Sequence, residues 1–334
     1  ASSTSAAARP ASRRPWAAAA AYSQRLFPES NLKAFLRRLI GGKGDGADIT
    51  ESPAVYSSVG GTVAGIGSAA VRMNSGVPGA VTVLPFIPAG DELPDPDAAY
   101  TLFSGILRGY RIKKADIWLS LPADCGEEAE RLFVETAQQA GARDVFSVSA
   151  GYAAALGSGV RGAGDSLTLH IGARCSSLIA FSKGQKIASS VTEFAGDAFD
   201  RAIGSYLLKK YRVTATPAEL RRIKHEVGSL NPSDNSMKAK VMRAAFGLPK
   251  EIKLTENEIS AAIEPVFDEL ADAVIALIRT LPCEPDRIIL TGGGAEMTGI
   301  APAMAPLVGI PVTVAEKPGL AVARGLISSM TSEE

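Results

Sequence analysis

An α/β fold of two lobes is what the sequence predicts, and three observations predict it. From Glu51 onward, short apolar strand-like runs alternate with helix-like runs. A strands-then-helix course fills the chain to about residue 163 and starts again at 166, which points to an internal duplication. Small-residue stretches recur in both halves, as expected where two lobes face a cleft, and clefts between lobes are where ligands are held. The size agrees, since 334 residues with 46% hydrophobic and 21% charged content can form two domains or one bilobed unit.

The first 28 residues stand apart, being rich in Ala and Ser, with four arginines and no acid. They read as a disordered tail that cannot bury enough apolar surface to offset its ordering entropy. The composition also matches an organelle transit peptide. Residues 29–43 read as a short basic amphipathic helix. Leu32, Phe35, Leu36, Leu39 and Ile40 recur at helical spacing beside Lys33, Arg37 and Arg38, after a Ser30 cap and before Gly41–Gly42. That apolar stripe either docks on the core or lies among the headgroups of an anionic membrane.

The remaining elements follow in order. "PAVYSSV", "GTVAGIG" and "AVTVLPFI" are strands, and "DPDAAYTLFSGILRGY" is a helix opened by an acidic cap. Next come strand "ADIWLSLP", helix "GEEAERLFVETAQQAG", strand "DVFSVS" and the small-residue helix "AGYAAALGSG", which ends in glycine. Residues 166–190 form a strand, a tight turn, a second strand, another turn and the start of a third. Helix "DAFDRAIGSYLLKKY", a long helical insert and helix "TENEISAAIEPVFDELADAVIALIRTL" lead to strand "RIILTGG", helix "TGIAPAMAPLV" and strand "IPVTVA".

Composition excludes several functions. Thirty-five basic and thirty-five acidic residues cancel, so no bulk charge draws the chain to nucleic acid. Three scattered cysteines argue against a disulfide framework and for a reducing compartment. The two histidines, His170 and His225, have no partner at metal-ligand spacing, which argues against zinc or iron. No apolar run reaches the roughly 18 residues that cross a bilayer.

Two stretches carry candidate chemistry. The hairpin turn "HIGARCSS" has the frame of a phosphate-holding loop, in which backbone N–H groups approach oxygens where side chains are small. It has one glycine, Gly172, followed by Ala173 and Arg174, and His170 precedes it where a metal-binding carboxylate would be expected. "TGGGAEMTG" lies at a strand-to-helix junction, where Gly292, Gly293, Gly294 and Ala295 let the backbone bend under a base or phosphate, or simply make a tight packing turn. In "AGDAFD", Asp197 is expected as N-cap of the following helix.

Four segments, "FAGDAFDRAIGSYLLKKY" (194–211), "RRIKHEVGS" (221–229), "IILTGGGAEMTGI" (288–300) and "IPVTVAEKPGLAVARG" (310–325), closely resemble the bacterial actin-like MreB family in order and spacing. The similarity covers roughly residues 45–328. It implies the actin-like (ribonuclease H-like) two-lobed fold, with duplicated five-stranded mixed sheets and flanking helices. Lobe I would be 44–163, completed by 313–334. Lobe II would be 164–312, with a small insert subdomain at about 197–258. By the resemblance, Lys224 and Arg221 flank a nucleoside, and Gly172, Ala173, Arg174, Gly196, Asp197 and Gly292 to Ala295 surround the rest of an ATP whose presence would bring Mg²⁺.

The chain departs from the family wherever hydrolysis is served. Metal-bound triphosphate needs carboxylates for the cation, glycine-rich hairpins for the phosphates and a polar group to orient water. No aspartate precedes Asp45, so nothing resembles the first family hairpin, "DLGTAN". His170 replaces the second hairpin's carboxylate, Ala173 and Arg174 replace two glycines, and Ser149–Ala150 stand where the family has acids. Imidazole is a poor exchange for an oxygen ligand of Mg²⁺, and losing one preorganised group costs on the order of 10² in rate. Arg174 could still pair with a phosphate.

The resemblance therefore implies a cytoskeletal or scaffold protein with a degenerate ATPase site. It would assemble with itself or an MreB-type paralogue on the inner face of the cytoplasmic membrane, with cell-wall or division proteins as further partners. Alternatives are a working ATPase in which Arg174 and His170 replace the usual groups, and a non-polymerising partner-binding module.

Overall fold

The structure is a computed structural model; it describes residues 117–142, 145–160 and 164–322, together with 324, 325 and six positions of a helix between 96 and 104. The amino-terminal tail, the 29–43 helix and the strands expected over 53–87 lie outside the described residues.

In the first lobe, β1 (Ile117–Leu121) runs parallel to β2 (Val145–Ser149), joined by α1 (Glu127–Gln139). A strand, a crossover helix and a parallel strand is the connection expected where a helix covers the sheet. Phe133 and Ala137 of α1 are buried against Leu119 and Leu121. The chain passes from β2 directly into α2 (Ala150–Gly157), whose cap is Ser149, accepting from Tyr152 N at 3.3 Å. Helix α2 is almost wholly buried because alanines and glycines dominate it. It packs on Ala321 and Val322 near the far end of the chain and on the sheet of the second lobe, where Tyr152 stacks on Phe181 at 5.9 Å.

The second lobe is built on a five-stranded sheet. Its strands are β3 (Ser166–Ile171), β4 (Ser176–Ser182), β5 (Gln185–Thr192), β9 (Arg287–Thr291) and β10 (Val312–Val314), in the order β10-β9-β3-β4-β5. Strands β3 to β5 form an antiparallel meander, whereas β9 runs parallel to both β3 and β10, so the sheet is mixed as expected. All six residues of β3 are buried, as a central strand covered on both faces requires.

Helices α3 (Gly196–Tyr211) and α5 (Glu256–Ile278) pack together over this sheet, with Phe199, Ile203, Leu207, Ile263, Leu270 and Val274 in one core. A Thr255–Glu258 capping box starts α5. Helix α6 (Ile300–Val308) adds Ile300 and Met304 to the same core.

Between α3 and α5 the structure corrects one expectation. The insert is only partly helical: after β6 (Val213–Thr214) and α4 (Pro217–Val227) come β7 (Ser236–Arg243) and β8 (Pro249–Thr255), forming an antiparallel sheet of order β6-β7-β8. The reason is a period of two. Met237, Ala239 and Val241 are buried and Lys238 and Lys240 exposed, while Ile252 and Leu254 face inward from β8.

Candidate functional site

The β3–β4 turn, the start of α3 and the segment after β9 meet at one place. Gly172 N donates to Cys175 O at 3.2 Å and closes the turn. Its carbonyls then face α3: Gly196 N donates to Gly172 O at 3.0 Å and Asp197 N to Ala173 O at 2.7 Å. A Cβ on Gly196 would lie 3.2 Å from Gly172 O and 3.3 Å from Ala173 Cα, tighter than ordinary contact. Two amide donors that a helix N-terminus could offer to an anion are thus taken by the turn itself. Asp197 is not the N-cap that was expected. Ala195 holds that position without a side-chain cap, because the hairpin carbonyls already do the capping, and Asp197 lies in the first turn.

Beside it, β9 ends at Thr291 and the chain turns at Gly292, whose φ of +85° belongs to the left-handed region. A Cβ there would meet Ile171 O at 2.3 Å, so only glycine fits. Gly293 to Glu296 form a 3₁₀ turn that buries Ala295, while Gly294 lies close against Ile171. Ser229 bridges to Thr298, and Leu230 N donates to Thr298 O at 2.8 Å. The segments 221–229 and 288–300, recognised separately in the sequence, therefore join in space.

Lys224 and Arg221 point from α4 toward the start of α3. Lys224 Nζ donates to Gly196 O at 2.7 Å and lies 2.8 Å from Asp200 Oδ1. Arg221 lies 3.8 Å from Asp200 and 4.0 Å from Asp197. Burial raises the Asp197 carboxyl above its usual range, with Arg221 pulling it back. Both cations that the resemblance puts beside a nucleoside are engaged by α3.

At the turn, Arg174 donates to Asp124 Oδ1 at 2.6 Å. Asp124 belongs to the loop after β1, so the pair joins the β1–β2 sheet to the five-stranded sheet. Cys175 Sγ donates to the same oxygen at 3.6 Å, and burial followed by the Asp124 charge pushes its thiol up to about 11, leaving it protonated and unreactive at neutral pH. His170 pairs with Thr291 across β3 and β9, its Nδ1 3.2 Å from Thr291 Oγ1. Its Nε2 has no hydrogen-bond partner among the described residues. Burial lowers the imidazole to about 4, so it is neutral at pH 7. His170, Arg174, Ala173 and Ala150 line a cavity of about 10 Å³, room for roughly one water.

Asp124 and Thr291 were not singled out as site residues. Nothing in the spacing of "PADCGE" marks Asp124; only the closing of the lobes does.

These residues do not fit magnesium well. Among the described residues no group of three His, Cys, Asp or Glu side chains is placed to hold a metal ion, and Asp124, Asp197 and Asp200 already face cations. A phosphate fits better, since Arg174 offers a guanidinium at the turn once it leaves Asp124.

A model of the MreB/Mbl protein family matches residues 39–334. The chain belongs to the MreB/Mbl family. It is 34% identical over 219 residues to the cell shape-determining protein MreB of Escherichia coli (strain K12), a match covering 63% of each chain and so just under two thirds of that relative. Against the cell shape-determining protein Mbl of Bacillus subtilis (strain 168), identity is 25% over 304 residues, with 86% and 90% covered. The crystal structure of MreB 5 of Spiroplasma citri bound to AMPPNP superposes with a TM-score of 0.69 at 25% identity, covering 80% of this chain and 84% of that one. The MamK double helical filament gives a TM-score of 0.66 at 17% identity over 80% and 86%, a likeness of fold alone. The mixed sheet with flanking helices is thus the actin-like fold expected from the sequence. Among the described residues no helix is long and apolar enough to cross a membrane.

Proposed function

We propose that this MreB/Mbl-family chain is a cytoskeletal subunit that assembles head to tail, with itself or with an MreB-type paralogue, at an inner membrane surface, and holds ATP between its lobes with little turnover. The observation that carries the reading is the hairpin. Its frame is intact, but a neutral buried imidazole stands in the carboxylate's place and Arg174 is tied to Asp124. A neutral imidazole supplies no charge to an oxygen-seeking cation.

Assembly is supported by the family membership and by the fold shared with the MamK filament. Head-to-tail contacts build open filaments without needing catalysis in each subunit. Nucleotide binding is supported by the AMPPNP bound in the Spiroplasma relative. Membrane contact rests on the amphipathic pattern of 29–43, and a role in cell shape on the names of the curated relatives.

The test combines ATP turnover in the presence of Mg²⁺ with sedimentation of the purified chain, with and without nucleotide. Pelletable polymer without phosphate release is the expected result. Turnover as fast as that of an MreB with intact hairpins overturns the degenerate site, and a monomer at high concentration overturns assembly. A working ATPase is the second reading, favoured by His170, which lines the cavity, has no hydrogen-bond partner for its Nε2 among the described residues and could orient a water.

A further inference from the structure

Arg174 and Asp124 are brought together from different sheets. Arg174 sits in the turn of the five-stranded sheet, and Asp124 follows β1 of the two-stranded sheet, 50 residues earlier. Their side chains are 22% and 33% exposed, so the pair is partly withdrawn from water and less screened than a surface pair. Around it, the amides of Gly196 and Asp197 are engaged by turn carbonyls, and Lys224 by Asp200. Arg174 is the cation that the turn itself supplies, and a carboxylate of this same chain sits on it. His170, whose Nε2 has no hydrogen-bond partner among the described residues, lines the same small cavity as Arg174.

We propose that Asp124 is an internal competitor for the phosphate of a nucleotide: it occupies the Arg174 guanidinium as a ligand phosphate would, and while it does so it fastens the first lobe to the hairpin. This rests on the reading that the cleft takes a nucleotide. Asp124 takes an Nη2 donor of the fork that a phosphate would use and offsets the charge that a phosphate would meet, so the two anions compete for one guanidinium. Asp124 also places a negative charge where the incoming phosphate is negative, which costs the ligand again. Nucleotide binding and the tie between the lobes therefore oppose each other. A ligand that captures Arg174 releases its tie to the β1–α1 loop, and a mutation that removes the Asp124 charge strengthens the ligand, as linkage requires.

The experiment measures binding of a fluorescent ADP analogue, with Mg²⁺ present, to the full chain and to Asp124→Asn, Arg174→Ala and the double variant. Asp124→Asn is expected to bind about tenfold tighter than the natural sequence, a coupling of ordinary size. Arg174→Ala is expected to bind more weakly, and adding Asp124→Asn to it to restore no more than about twofold, because the competitor then has nothing to compete for. If the natural chain binds and Asp124→Asn binds no tighter, the competition is overturned while the nucleotide reading stands. A full tenfold gain persisting in the Arg174→Ala background overturns it too, since Asp124 would then act on the ligand and not through Arg174. No binding by any variant at millimolar analogue overturns the nucleotide reading and the competition together.

Discussion

Lys224 places its ammonium 2.8 Å from the Asp200 carboxylate and donates to the Gly196 carbonyl at 2.7 Å, pinning α4 to the first turn of α3. Both side chains are only about a tenth exposed, at 12% and 11%. The pair sits where the family resemblance places a nucleoside contact, yet its geometry is that of a buried structural tie.

Lys224→Met is therefore expected to destabilise the fold by about 2 kcal/mol, because it leaves the buried Asp200 with only the more distant Arg221, at 3.8 Å, as a cation. Adding Asp200→Leu should recover much of the loss, since a matched apolar pair carries no desolvation penalty. Urea unfolding of the two variants checks this; equal losses in both would show that the carboxylate is not the cause.

His170 gives stability a pH dependence of definite sign. Burial lowers its folded value to about 4 from an ordinary 6.5. Between those values the unfolded chain binds a proton that the folded chain refuses. Stability is thus complete above about pH 6.5 and falls toward pH 4, with a slope approaching ~1.4 kcal/mol per unit. Replacing His170 by Gln should remove that part of the slope, seen as urea midpoints that differ less between pH 7.5 and 5. Identical pH dependence in both proteins would contradict it.

Gly292 and Gly293 are neighbours with opposite tolerance. Gly292→Ala puts a Cβ 2.3 Å from Ile171 O at a φ of +85°, whereas a Cβ on Gly293 meets nothing within 4 Å. The first should cost on the order of 2 kcal/mol or more and the second under ~1 kcal/mol. Thermal unfolding midpoints that fall alike for both would refute the asymmetry.

Glu258 gathers several donors at the start of α5. Burial pushes its carboxyl up, but Lys210, Tyr211 and the Thr255 cap outweigh that and hold it at about 2. Glu258→Ala removes the reciprocal half of the capping box and the anchor of Tyr211, with a loss of about 1–2 kcal/mol expected in denaturant unfolding.

Much of the second lobe was legible because its signals are local. The buried run of β3, the Gly184 turn into β5 and the Thr255–Glu258 cap are each decided within a few residues. The β7–β8 pair was legible in principle through the alternation of Met237, Lys238, Ala239, Lys240 and Val241, but its lysines resemble the solvated face of a helix until the period is counted. Asp197 has the residue type of an N-cap. It lost that place because the hairpin carbonyls reach the helix first.

The amino-acid order alone settled most of the alternation of strands and helices and the glycine turns, since these depend on residue type and on spacings of two to four, and the family through the resemblance of four longer segments. Only the tertiary structure decided that Arg174 meets Asp124, that His170 faces Thr291 from 121 residues away, and that Lys224 is held by Asp200. Charges so far apart along the chain find one another only after two sheets and their helices have buried their apolar faces, and periodicity carries no record of which charges that burial brings together.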